Sequence, residues 1–367
     1  MENNDTKYWV ALASHEKIGA RTLNKLFKRF KKMEKVWTAT NIELAEAGLE
    51  RVQSEAVREV ITKVDIDKEL AKLEKFGIKV LTLSDKDYSA LLAQISDPPG
   101  ILFYRGEILP VDELAIGVVG SRKYTDYGSR VTTKLVMPLA QKGITIISGL
   151  ALGIDTLAHK AAVDAGGRTL AVLGCGLDQI YPASNIRLAD QILQGHGAII
   201  SEFPLGTPAY RSNFPMRNRI IAGLSLGTLV IEGAIESGSL ITARAALDYN
   251  REVFAVPGSI FSESSEGPNR LIQMGAKMVM EANDILQELN IDQALEEKEA
   301  QIVIANTPNE EILLKLMSQP ITVDELIKES KLGPPLVNTT LIMLEMKGAI
   351  NNLGGTSYVI RGKLKNN

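Results

Sequence analysis

Small and hydroxyl-bearing residues recur in short clusters through the middle of this 367-residue chain. They read Gly120-Ser121-Arg122, Ser148-Gly149-Leu150-Ala151-Leu152-Gly153-Ile154-Asp155, Gly174-Cys175-Gly176, Glu232-Gly233 with Glu236-Ser237-Gly238-Ser239-Leu240-Ile241-Thr242, and Pro257-Gly258-Ser259. Glycine lets backbone N–H groups approach a ligand, and a helix that follows such a turn presents the positive end of its dipole. Serine and threonine add short donors, and Arg122 adds a planar fork suited to phosphate. One such turn serves many ordinary connections. Several converging on one edge of a sheet make phosphate binding the favoured reading.

A second constellation is cationic and aromatic. No acid occurs from Phe203 to Val230, while Tyr210-Arg211-Ser212-Asn213-Phe214-Pro215-Met216-Arg217-Asn218-Arg219 interleaves rings with arginines. That combination suits single-stranded nucleic acid, because cations take phosphates and rings stack on bases. The competing structural reading makes Phe214 a core anchor and leaves the arginines solvated. Beside the glycine-rich turns, the nucleic-acid reading gains.

Other chemistries find little support. There is no G-x-x-x-x-G-K-[ST], and neither Gly149-x-x-x-Gly153 nor Gly174-x-Gly176 completes a dinucleotide fingerprint. Three histidines, His15, His159 and His196, and one cysteine, Cys175, offer no metal-ligand spacing. Neither a metal nor a cofactor is expected. Asp155 and His159 share a helix face, where a structural hydrogen bond is favoured over an acid/base pair. Cys175 reads as a small buried residue.

The elements that would position these turns alternate. Ala115–Val119, Thr145–Ile147, Thr169–Leu173, Ala198–Ile200, Thr228–Ile231, Val253–Val256 and Lys277–Met280 read as strands. Helical patterns lie near Tyr127–Lys142, Ile154–Ala165, Asn185–Gln194, Met216–Leu224, Leu240–Asn250 and Asn269–Met274. Such alternation predicts an α/β fold, a doubly wound and mostly parallel sheet, with ligands at the carboxyl ends of its strands. Residues 1 to about 96 are helical in pattern, and Lys17–Lys35 carries eight Lys/Arg against one acid. An acidic stretch, Glu281–Glu299, precedes three short helical patterns, Glu310–Met317, Val323–Glu329 and Pro335–Met346. The segment Asn351–Ile360, with Gly354-Gly355 inside it, then reads as a hairpin. Three helices and a hairpin predict a winged helix.

Composition is ordinary for a globular chain, at 45% hydrophobic and 23% charged residues. A single cysteine allows no internal disulfide and fits a reducing, cytoplasmic setting. No apolar run reaches membrane-spanning length, so no membrane partner is expected. The net charge of −3 argues against a broad basic coat. Glu281–Glu299 alone carries seven acids and one lysine, so the rest of the chain is slightly basic and permits a narrow cationic pocket.

The central motifs resemble the bacterial DNA-processing DprA (Smf) family. Those carrying the resemblance are Gly120-Ser121-Arg122, S-G-L-A-x-G-I-D at Ser148–Asp155, A-H-x-A-A at Ala158–Ala162, Gly174-x-Gly176-Leu177-Asp178, Tyr181-Pro182-x-x-Asn185 and Ser201-Glu202. F-P-x-R-N-R-I-I-A at Phe214–Ala222, E-x-x-x-x-S-G-S-L-I-T at Glu232–Thr242 and V-F-A-V-P-G at Val253–Gly258 complete the set. The resemblance implies an extended Rossmann-like domain over residues 97–289. It also implies a SAM/helix-hairpin-helix-like region with a connector over 1–96, a linker over 290–307 and a winged helix over 308–367. It implies a homodimer that binds single-stranded DNA without catalysis, displaces single-strand binding protein and loads RecA in natural transformation. Carried over residue by residue, the DNA-facing set is Gly120, Ser121, Arg122, Ser148, Gly149, Leu150, Ala151, Gly153, Arg217, Asn218, Arg219, Ser237, Gly238 and Ser239. Phe214 is the candidate for contact with a splayed base. Some members carry a lysine after the Tyr-Pro pair where this chain has Ala183. Arg187 is then a substitute candidate, and Arg211 a further one.

Two rival functions are weighed. A nucleotide phosphoribohydrolase would share a related fold, but its P-G-G-x-G-T-x-x-E pattern is not matched by Glu236-Ser237-Gly238-Ser239-Leu240-Ile241-Thr242-Ala243. A winged-helix DNA-binding regulator is the other. Seven Lys/Arg against six acids over Glu310–Asn367 make a poor electrostatic footprint for it.

Overall fold

The computed structural model describes residues 5–291, 302–303, 305–317, 319–354, 356–360 and 363–364. The chain forms two compact units, Met1–Ile285 and Leu286–Asn367. The expected linker over 290–307 lies largely outside the described residues.

The first unit is built on a nine-stranded sheet. Its strands are β1 (Lys79–Thr82), β2 (Ile101–Gly106), β3 (Ala115–Val119), β4 (Thr145–Ser148), β5 (Thr169–Leu173), β6 (Gly197–Ser201), β7 (Gly227–Val230), β8 (Glu252–Ala255) and β9 (Lys277–Met278). Their spatial order is β1-β2-β6-β5-β4-β3-β7-β8-β9. From β6 to β9 every neighbouring pair is parallel, while β2 pairs antiparallel with both β1 and β6. This is the expected doubly wound, mostly parallel α/β sheet. Two strands were not expected, β1 and β2; of these, β1 is a four-residue edge strand inside a stretch of helical patterns. So short an alternation is outvoted by the helical periodicity on either side.

The sheet is buried on both faces, and side-chain alternation sorts its residues between two cores. Ile101, Phe103, Ala171, Leu173 and Ile199 join one apolar cluster with Trp9, Leu12, Leu23 and Leu26 of the N-terminal helices. Leu102, Leu170, Val172 and Ile200 join the opposite cluster with Ile220, Ile221 and Ala243. The N-terminal helices therefore cover one face of the sheet rather than standing apart from it. β3 is the point where the winding reverses, since the chain moves to β4 on one side and returns at β7 on the other. Loops leaving neighbouring strands diverge at such a point and open a crevice at the carboxyl edge.

The second unit contains helices Pro308–Leu316, Val323–Ser330 and Pro334–Met346. Strands Ile321–Thr322 and Ile350–Asn352 both pair antiparallel with Ser357–Ile360. Leu313, Leu314, Met317, Leu326, Val337, Leu341 and Leu344 form its core. A capping box between Thr322 and Glu325 starts the middle helix, and Pro334 sits in the first turn of the third. This is a winged helix-turn-helix arrangement.

Candidate nucleic-acid interface

The β4–helix turn is held by side chains beneath it. Ser148 donates its hydroxyl to the Val118 carbonyl at 2.6 Å. The Gly149 N–H donates to the Asp155 carboxylate at 3.2 Å, and the Leu150 N–H donates to His159 Nε2 at 3.2 Å. His159 Nδ1 lies 2.7 Å from the Thr169 hydroxyl, which itself donates to the Ile146 carbonyl. Nε2 accepts and Nδ1 donates, so the ring is neutral. Burial, reinforced by the Arg217 charge, pulls its pKa down to about 3. These anchors keep Leu150 at φ +54°, an unusual conformation for a branched side chain. They also bring Gly153, at φ +88°, so close to the preceding loop that a Cβ there would lie 2.2 Å from the Ser121 carbonyl oxygen.

Above this turn sits a cavity of about 50 Å³ lined by Arg122, Gly149, Ala151, Leu152, Gly174, Cys175, Tyr181, Pro182, Phe214 and Arg217. Arg122 is exposed, with its guanidinium carbon 5.2 Å from the Phe214 ring centroid. The Tyr181 and Phe214 rings are 5.9 Å apart at 32°. Phe214 is half-buried and rests against Gly174, where a Cβ would come within 3.1 Å of the ring. One face of the cavity thus offers a cation and two rings.

Arg217 forms the floor. It is 4% exposed, and its Nη1 donates to the carbonyls of both Gly149 and Val172. Burial lowers its pKa, opposed by Asp155, while burial raises that of Asp155, opposed by Arg217. Its positive charge reaches the cavity from below, and its donors brace the turn. Arg217 Nε donates to Asn218 Oδ1 at 3.1 Å, and Asn218 Nδ2 donates to the Gly238 carbonyl at 3.2 Å. This tie brings in the start of helix Gly238–Asp248, which is capped by Ser237 and has Ser239 in its first turn. The Ser237 and Ser239 hydroxyls lie 2.8 Å apart.

Several expected DNA contacts are engaged elsewhere. Arg219 is 8% exposed and pairs with Glu202 and, at 3.6 Å, with Asp97, so it is a buried structural charge rather than a DNA-facing one. The amides of Gly149 and Leu150 are taken by Asp155 and His159, and the Ser148 hydroxyl by Val118. Ser121 accepts from the Lys123 N–H and donates to the Lys123 carbonyl, closing its own loop. Gly120, Ala151 and Gly153 shape the backbone beside the cavity. Arg211, Ala183 and Arg187 are exposed but do not line it, and Ala183 brings no charge. Tyr181 and Leu152 also line the cavity; both stand in motifs quoted above, Tyr181-Pro182-x-x-Asn185 and the Ser148–Asp155 turn, but were not named among the DNA-facing residues. Cys175 is a buried wall whose thiol is pushed up to about 11 by burial.

A doubly wound α/β sheet with a cationic, aromatic cavity among the exits of β3, β4 and β5, followed in the chain by a winged-helix unit, defines a class of Rossmann-like protein with a site suited to an anion. The chain belongs to the DprA (Smf) family. Residues 79–290 match the model for DNA recombination-mediator protein A, and residues 296–356 match that for the DprA winged helix domain. The chain is 34% identical to a Smf protein of Synechocystis over 98% of its own length and 99% of the relative's. It is 41% identical to the DNA processing protein DprA of Bacillus subtilis over 70% of its own length and 89% of that protein's. Its fold is similar to DNA processing protein A of Streptococcus pneumoniae, with a TM-score of 0.66 and 34% identity over 77% of this chain and 96% of that one. A DNA processing protein A of Helicobacter pylori, solved for its single-stranded DNA binding mode, matches with a TM-score of 0.53 and 28% identity. That match covers 59% of this chain and 96% of that one.

Proposed function

We propose that this protein binds single-stranded DNA at the carboxyl edge of its sheet, without catalysis. It protects incoming strands in the cytoplasm and passes them to RecA during natural transformation and recombination, working as a homodimer that displaces single-strand binding protein. The observation that carries the reading is Arg122 seated over Phe214 beside Tyr181, above the buried charge of Arg217. The single-stranded DNA binding of the Helicobacter pylori relative supports it.

The physics follows from the geometry. Arg122 neutralises a phosphate from beside Phe214, its guanidinium carbon 5.2 Å from the ring centroid. A base stacks against Phe214 and Tyr181, and stacking contributes about 1–3 kcal/mol per base with tolerance for sequence. Arg217 cannot leave its two carbonyl partners, so it acts as a fixed field that favours an anion above it. Within the cavity the protein supplies a cation, rings and braced backbone.

The test is a mobility shift with labelled single-stranded and duplex DNA, with and without RecA. The expected result is preference for the single strand and a ternary complex with RecA. A preference for duplex, or release of the base from a nucleoside monophosphate, would overturn the reading.

A further inference from the structure

Residues 177–185, between the β5 exit and the helix Ile186–Gln191, hold little regular structure beyond a single 3₁₀ turn at Ala183–Asn185. This segment nevertheless carries Tyr181, one of the two rings of the cavity. Its first half is tied to the loop after β6. The Gln179 amide donates to the Thr207 carbonyl at 3.0 Å, and Asp178 accepts from the Gly206 N–H at 2.9 Å. Its second half is tied to the β4 turn by Asn185, which is 6% exposed. Asn185 Nδ2 donates to the Leu150 carbonyl and to the Thr156 hydroxyl, each at 2.8 Å. The Thr156 hydroxyl in turn donates to the Ala151 carbonyl at 2.6 Å. Among the described residues, no other side chain of 177–185 reaches that turn by a hydrogen bond. Leu150, at φ +54°, is thus held on both sides, its N–H by His159 and its carbonyl by Asn185. Asn185 itself does not line the cavity.

We propose that Asn185 is a positioning residue for base stacking: it touches no DNA, and it fixes Tyr181 against the β4 turn so that the Tyr181 and Phe214 rings are set for a base. This rests on the single-stranded DNA reading of the cavity. The chemistry selects an amide at this position. The Leu150 carbonyl can only accept, and the Thr156 hydroxyl has its proton engaged with Ala151, so both partners require a donor. One planar –NH₂ supplies both bonds, whereas a carboxylate would set acceptors against acceptors. The two bonds join opposite walls of the cavity, Gly149, Ala151 and Leu152 on one side and Tyr181 and Pro182 on the other. Tyr181 is 47% exposed, so its place depends on these flanking ties more than on packing. A ring held in advance loses less freedom when a base stacks on it than one that drifts. Arg122 stands on a different loop, fastened where the Thr125 N–H donates to Glu232 at 3.0 Å. Phosphate neutralisation is therefore independent of Asn185.

The experiment measures affinity of the full chain and its variants for an oligothymidylate and for an abasic oligomer of the same length, across a salt series. Asn185→Ala should weaken the oligothymidylate by about 5-fold or more, as lost stacking does, and leave the abasic oligomer unchanged. It should not alter the salt slope, because no phosphate contact is lost. On a Tyr181→Ala background it should cost nothing further, since the two residues act as one unit. Thr156→Val removes one bond of the same tie at nearly constant volume. It should show a smaller loss with the same signature, and it carries the test if Asn185→Ala does not fold. Equal loss on both oligomers, a flattened salt slope, or full additivity with Tyr181→Ala would overturn the inference. If the unsubstituted protein binds neither oligomer, the single-stranded DNA reading falls and takes this inference with it. If it binds both and the variants match it, only this inference falls.

Discussion

Arg217 and Arg219 stand two residues apart in the helix Asn213–Gly223, yet they belong to different regions with opposite electrostatics. Arg217 faces the cavity and lends its charge to a site lined by exposed Arg122 and Tyr181 and half-buried Phe214. Arg219 is enclosed with two acids, Glu202 and Asp97, and the Tyr249 hydroxyl donates to Asp97 at 3.4 Å. Two residues along a helix is a rotation of about 200°, so the side chains diverge to opposite sides. Phe214 and Arg217, three apart, stay together. An R-N-R motif is thus one brace under the site and one structural ion pair behind it.

The sharpest way to break this contrast is to remove each arginine. Arg217→Ala strands the Gly149 and Val172 carbonyls and uncovers Asp155, so it should cost roughly 3–5 kcal/mol in urea unfolding and also reduce single-strand affinity. Arg219→Ala leaves Glu202 buried beside Asp97 and should destabilise by a comparable, somewhat smaller amount. Its DNA affinity under folding conditions should stay near that of the unsubstituted protein. An Arg219 variant that is fully stable but fails to bind would reverse the assignment. Arg122→Ala should leave the melting temperature unchanged, because the side chain is exposed, and reduce affinity about 10-fold. The salt slope should flatten by about 0.7, the value for one phosphate on a single strand, and an unchanged titration would remove Arg122 from the site.

The smallest effect is a pH dependence. Burial raises the Glu202 pKa to about 7 despite the Arg219 charge, which acts in the opposite direction. Because the folded value lies above the unfolded one of about 4.3, this group's contribution to stability is fully present below pH ~4.3 and is lost as pH rises through about 7. Glu202→Gln should flatten the melting temperature across that window. His159 has the opposite sign: its pKa is depressed to about 3, so its contribution is present above about 6.5 and lost as pH falls toward 3. A pH profile of melting that shows neither limb would remove both assignments.

Much of the sheet was legible because buried parallel strands are continuous apolar runs. Ala115–Val119 and Thr169–Leu173 were read with the bounds the structure has. β1 was missed because four residues at an edge carry too little periodicity. The helix at Phe214 begins earlier than expected, at Asn213, since Pro215 is accommodated in its first turn. In the site, the residue types were legible and their engagements were not. The Gly149 and Leu150 amides read as anion donors, yet Asp155 and His159, six and nine residues later along the chain, already accept from them.

The sequence by itself determined the alternation of strands and helices, the glycine-rich exits at one edge, the winged-helix pattern and the family. Each depends on local periodicity or on residue type at fixed spacing. Only the tertiary structure decided which cation is exposed, which is braced and which is paired. Those outcomes depend on groups far apart in the chain, such as Thr125 on Glu232 and Arg219 on Asp97, whose proximity exists only once the sheet has closed its order around β3.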